Sequence, residues 1–318
     1  MTYKTKKRII WSVVLTTLAL LIAAILFFST RTSQTNLHAD RTNGLIGELS
    51  ITSNPIFFQI RPGLTFKVDT GSDISTISHK DVAFLDSLGF SVKKSFYPVY
   101  GRNGVGEMEL TTERYTVSLP LYSWDYQTDS NGKRIRTCNF NDSNILHDVD
   151  FQISESDISV LGIDFLEKFK MEYKAGKGTI AFYLEDPVDY EYFAPIHTSY
   201  SPNSILTLSR RYYLDVSVDE DVDEYFIDTT LRKVFVKRPK RELSESAKNN
   251  KPEIISSLRG VYRAIPENGW IKIGNREGES VVHYYDNDEE NYAINPLYIS
   301  KFDVLLDFPN KQIKFRPL

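Results

Sequence analysis

After eight residues the chain has a run of 20 that carries no charge, Ile9 to Phe28. A helix of that length spans about 30 Å, the thickness of the hydrocarbon core of a bilayer. Further on the hydrophobic pattern changes to period two. Tyr115, Val117, Leu119 and Leu121 alternate with Thr116, Ser118 and Pro120, which predicts a half-buried strand. Thr65–Val68, Thr179–Tyr183 and Gln312–Phe315 also read as strands. Helical patterns are few. Ser78–Leu88 has Ser78 as a cap and Gly89 as a stop, and Asp164–Lys170 is a second short candidate. Asp125 to Asp148 is long and polar and reads as a surface insertion. The acidic stretch Asp219–Glu224 sits between two strand-like segments and reads as a solvated turn. The basic stretch Arg232–Arg241, interrupted by Val234, Phe235 and Val236, reads as an exposed strand and loop.

The chain also resembles itself. Residues 161–182, LGIDFLEKFKMEYKAGKGTIAF, align without gaps to residues 294–315, INPLYISKFDVLLDFPNKQIKF. Phe165 meets Tyr298, Phe169 meets Phe302, Ile180 meets Ile313 and Phe182 meets Phe315. Upstream, FKVDTGSD (66–73) has a weaker echo in YFIDTTLR (225–232). Two echoes in the same order imply two similar lobes, and the predicted fold class is all-β. The expected division is a basic tail at 1–8, a transmembrane signal anchor at 9–28, a stalk at 29–43, lobe 1 at 44–185, a linker at 186–203 and lobe 2 at 204–318.

Charge orients the anchor. Lys4, Lys6, Lys7 and Arg8 precede the apolar run, and only Arg31 and Arg41 follow closely. The positive-inside rule puts the N-terminus in the cytoplasm and the body outside it, in a periplasm, at a cell surface or in a lumen. A cleaved signal peptide is disfavoured, because the run is long and ends in Phe27-Phe28-Ser29-Thr30-Arg31 without an A-x-A-like site.

Composition removes other classes. Hydrophobic residues make up 41% and charged residues 25% of the chain, as in globular proteins. The net charge of −4 offers no basic footprint for nucleic acid. A single cysteine, Cys138, excludes an intramolecular disulfide framework, and five scattered histidines argue against a metal cluster.

Asp69-Thr70-Gly71-Ser72 follows the apolar positions Phe66 and Val68 and precedes Ile74. Downstream lies Val160-Leu161-Gly162, and between them the glycine-bearing segment Gly101–Glu109 with Gly104, Val105 and Gly106. This ordered set resembles the aspartic protease family, nearest its retropepsin-like branch. The resemblance implies two β-barrel lobes with a cleft between them, an active-site loop at Asp69, an apolar-apolar-Gly element beneath it, and a flap hairpin over the substrate. In such chemistry one carboxylate takes a proton from water while a partner carboxylic acid protonates the substrate carbonyl, and neither a cofactor nor a metal is needed. The resemblance implies that Thr70 and Thr229 lock the two loops, that Ser72 orients an outer carboxylate oxygen, and that Gly71 and Gly162 support Asp69.

Lobe 2 departs from this pattern at three places. Thr230 stands for Gly71, Leu231 for Ser72 and Asn295 for Gly162. A Cβ at Thr230 is expected to strain the loop if the position needs a glycine-like conformation. Three functions therefore stay open. The first is a membrane-anchored aspartic endopeptidase with Asp69 and Asp228 as its pair. The second is a catalytically inactive pseudoprotease that binds peptides or proteins. The third is a retropepsin-like homodimer using Asp69 from two chains. The expected partners are a polypeptide substrate or peptide ligand and a membrane, with no nucleic acid, and the state is monomer or homodimer.

Overall fold

The computed structural model describes residues 10–22, 45–51, 57–102, 108–139, 145–185, 187, 189–201, 209–233, 235–237, 243–257, 260–285, 292–299 and 301–318. Most of these lie in strands, and helices are few. Residues 10–22 form a helix whose apolar side chains all face outward, among them Trp11, Leu15 and Leu20. Among the described residues no helix is long and apolar enough to cross a membrane. The rest of the expected anchor, together with the tail at 1–8 and the stalk at 29–43, lies outside them.

The period-two segments become strands. The alternating segment lies in Met108–Pro120, and Leu64–Val68, Thr179–Tyr183 and Gln312–Pro317 cover the other three. The helix His79–Ser87 starts where expected. The Ser78 hydroxyl accepts the Asp81 N–H at 3.1 Å, and Gly89 leaves the helix at φ +79°. The second helical candidate shrinks to one turn, Ile163–Leu166, capped by Gly162.

Among the described residues thirteen strands form one sheet and eight form another. The first begins at its far edge with Val92–Arg102 and Met108–Pro120. It passes through Ile145–Ser154, Thr76–Ser78, Ser159–Leu161 and Leu64–Val68, and reaches Leu45–Ile51, Thr179–Tyr183 and Lys170–Lys174. The second holds the strands from His197 to Ile294. There Ser209–Val218 pairs with both Asp221–Ile227 and Gly260–Ile273, which closes the sheet on itself as a barrel. One continuous core runs through both, from Phe58, Phe66 and Phe151 to Tyr225, Phe235 and Val282.

Several expectations need correction. Residues 186–203 carry two strands: Tyr192–Pro195 on the edge of the first sheet and His197–Ser201 on the edge of the second. The C-terminal hairpin, Phe302–Asp307 and Gln312–Pro317, belongs to the first sheet, because Lys170–Lys174 offers it an open edge. The polar insertion contains a hairpin of its own, Ser123–Thr128 with Arg134–Asn139. Phe235–Lys237 is an interior strand, paired on both sides, with Phe235 fully buried. The acidic stretch turns only at Asp219 and Glu220, both at positive φ, and Asp221–Glu224 belong to the paired strand Asp221–Ile227.

The two copies of the sequence repeat pair with each other. Met171 opposes Leu306, Glu172 opposes Leu305 and Tyr173 opposes Val304. Met171 thus meets the repeat partner of Tyr173, Tyr173 meets that of Met171, and Glu172 meets its own. That register places a local two-fold axis through Glu172 and Leu305.

Candidate active site

Each Asp loop follows a strand whose last residue pairs in parallel with the strand that opens the repeat. Val68 pairs with Leu161, and Ile227 pairs with Ile294. The Asp69 N–H donates to the Leu161 carbonyl at 3.0 Å, and the Asp228 N–H donates to the Ile294 carbonyl at 2.9 Å. The loops then turn alike. The Ser72 N–H reaches the Asp69 carbonyl at 3.2 Å, and the Leu231 N–H reaches the Asp228 carbonyl at 3.2 Å. One side-chain oxygen of each aspartate is held from the backbone. The Gly71 N–H donates to Asp69 Oδ1, and the Thr230 N–H donates to Asp228 Oδ1, both at 2.8 Å.

The two threonines join the loops reciprocally. The Thr70 N–H donates to Thr229 Oγ1 at 3.1 Å, and the Thr229 N–H donates to Thr70 Oγ1 at 3.1 Å. Each hydroxyl passes its own proton on, Thr70 to the Ile227 carbonyl at 2.7 Å and Thr229 to the Val68 carbonyl at 2.9 Å. All four bonds are buried, so each satisfies groups that would otherwise be stranded away from water.

The three departures in lobe 2 are accommodated. Neither Gly71 nor Thr230 has a positive φ, so the expected strain at Thr230 is absent. The Thr230 hydroxyl adds a second bond to Asp228 Oδ1 at 2.6 Å. Leu231 is buried with Ile255, Ala264 and Tyr285. Gly162 and Asn295 both pass beneath a loop by different means. A Cβ on Gly162 would lie 2.7 Å from backbone atoms of Ile74 and 2.9 Å from the Ser72 carbonyl, so only glycine fits. Asn295 is fully buried, and its amide donates to the carbonyls of Thr229 at 3.0 Å and Leu231 at 2.6 Å. A side chain there does by hydrogen bonding what bare backbone does in lobe 1.

Ser72 meets Asp69 through its backbone, with its N–H 3.1 Å from Oδ1, while its hydroxyl donates to the Ile74 carbonyl at 3.0 Å. Gly101 lies in the strand Val92–Arg102 opposite Glu109. Gly104, Val105 and Gly106 fall outside the described residues.

Two features escaped the sequence reading. Beneath the Asp69 loop, Ser75 gives both its N–H and its hydroxyl to Asp164 Oδ1, at 2.8 and 2.6 Å, and its hydroxyl accepts the Gly162 N–H. More consequential is Lys67, whose Nζ lies 3.2 Å from Asp69 Oδ2 with its side chain only 10% exposed. A lone charge in the apolar run Phe66-Lys67-Val68, two residues before Asp69 and hence on the same strand face, was its only trace in the sequence. Asp69 is fully buried, and its carboxyl is pushed up to about 6. Loss of hydration is the main cause, Lys67 opposes it, and the charge of Asp228 adds to it. Among the described residues no cluster of His, Cys, Asp and Glu could hold a metal ion.

No protein-family model and no curated protein sequence matches the chain. Among solved structures, that of EDGP is similar at 12% identity, covering 85% of this chain and 94% of that one, with a TM-score of 0.45. Conglutin gamma, a basic 7S globulin from lupine seeds, matches at 12% identity over 87% and 96% of the two chains, TM-score 0.45. Basic 7S globulin from soybean matches at 10% identity over 85% and 93%, TM-score 0.42. At that level of likeness the reading of the site rests on its own geometry.

Proposed function

We propose that this chain is a membrane-anchored aspartic endopeptidase that hydrolyses polypeptides outside the cytoplasm. Asp69 and Asp228 form its catalytic pair. The observation that carries this reading is the reciprocal threonine lock, because it joins two buried, similarly built Asp loops within one chain. Water between the carboxylates would give its proton to the ionised member, and the protonated member would supply the carbonyl oxygen. Substrate would lie between the two sheets beneath the hairpin that includes Gly101. Anchoring by residues 9–28 is supported by the apolar helix at 10–22, whose side chains no other described residue covers.

The homodimer reading loses support. The N–H and hydroxyl of Thr70 are already engaged with Thr229 and Ile227 of the same chain. The binding-module reading is favoured by one observation, the ammonium of Lys67 beside Asp69, which opposes protonation of that carboxylate.

Cleavage of a peptide library by the full chain between about pH 3 and pH 8 tests the proposal. Asp69→Asn and Asp228→Asn should each lower the rate by about 10²–10⁴-fold. Loss in Asp69→Asn alone would reject Asp228 as partner. Peptide capture without cleavage by well-folded wild type would favour the binding module.

A further inference from the structure

Lys67 stands on the strand Leu64–Val68, flanked in register by Phe57 and Val160, neither of which titrates. Its side chain is nearly buried, yet its ammonium stays within ion-pair distance of the Asp69 oxygen that Gly71 and Ser72 leave aside. The matching position two residues before Asp228 is Phe226, so the strand leading to Asp228 carries no counterpart of Lys67 there. Among the described residues, the charged groups that act most on Asp69 are Lys67 from its own strand and Asp228 from the opposite loop.

Resting on the paired-aspartate reading, we propose that Lys67 is a positioning residue of this site and the resident counter-charge of Asp69. With its ammonium in place, the two carboxylates can both be ionised while the cluster carries a single net negative charge. Two bare carboxylates reach that charge only by sharing a proton. Lys67 therefore draws proton uptake by the pair toward lower pH, and it acts on Asp69 directly. Its removal should move the whole titration upward, and with it the pH of greatest activity.

The test uses the full chain in detergent, labelled with 13C at the Asp carboxyls, with the Asp69 signal assigned by its loss in Asp69→Asn. Lys67→Met, which keeps most of the side-chain volume, should raise the Asp69 midpoint by about one unit or more. Lys67→Arg should return it close to wild type. Lys67→Gln is read in the same way if Lys67→Met does not fold. In wild type itself, the 15N signal of the Lys67 ammonium should move as Asp69 titrates, which needs no variant. An Asp69 midpoint unchanged by loss of the lysine charge, or a Lys67 signal indifferent to Asp69, overturns the proposal even if the wild type cleaves peptides. A raised midpoint in a protein that cleaves nothing keeps the counter-charge and rejects the peptidase. In an active protein, the pH–rate profile of Lys67→Met should shift upward by the same amount. A purely structural lysine would change stability and leave both midpoints where they are.

Discussion

At the scale of single residues, Asp69 concentrates the cost of the site. It has no exposed surface, and the folded chain binds its proton more tightly than the unfolded chain does, since burial lifts its carboxyl to about 6. The sign of the linkage follows. Its contribution to stability is complete below the ordinary carboxylate range and is lost as pH rises through about 6. The stability of wild type minus that of Asp69→Asn should thus fall across that window, by up to about 3 kcal/mol. Urea unfolding of both proteins at a series of pH values measures it, and parallel curves would contradict it. The DTGS tetrapeptide and its apolar approach mark Asp69 in the sequence. That Lys67 reaches Asp69 does not follow from spacing alone, because a lysine stem can turn toward water or lie along apolar surface.

At the scale of elements, the two loops use different supports for the same geometry. Gly162→Ala should push its methyl into the backbone of Ile74 and Ser72, costing about 1–3 kcal/mol and disturbing Asp69. Asn295→Ala should leave the buried carbonyls of Thr229 and Leu231 without the amide, a loss of about 1–3 kcal/mol for each group left unsatisfied. Denaturant midpoints check both, and either variant behaving like wild type would mean that the loop is held elsewhere. The cap and stop of His79–Ser87 and the main strands were legible because capping and alternation are local. The substitution of a hydrogen-bonding Asn for a close-packed Gly was visible only as a mismatch. Its meaning needed the distance from the amide to the loop carbonyls.

At the scale of the molecule, the two repeats are welded at their shared axis. Glu172 is buried there and is held by Arg316 at 2.9 Å, by the Tyr190 hydroxyl at 2.8 Å and by Lys174 at 3.9 Å. Arg316 also pairs with Asp303. Arg316→Leu should lower stability by about 1–3 kcal/mol, reduced from the cost of a fully buried pair because the arginine is 29% exposed. Because the C-terminal hairpin lies in the first sheet, unfolding should remain a single transition in that variant. Two separated transitions by calorimetry would show the halves to be independent. By itself the sequence determined the repeat, the β character and the two Asp loops with their threonines, since these depend on side-chain period and on residues a few positions apart. Only the tertiary structure decided that the threonines lock to each other, that Lys67 faces Asp69, that 186–203 carries strands, and that the last hairpin crosses into the first sheet. Those outcomes depend on which edges and buried faces meet across long stretches of chain, where no local pattern chooses the partner.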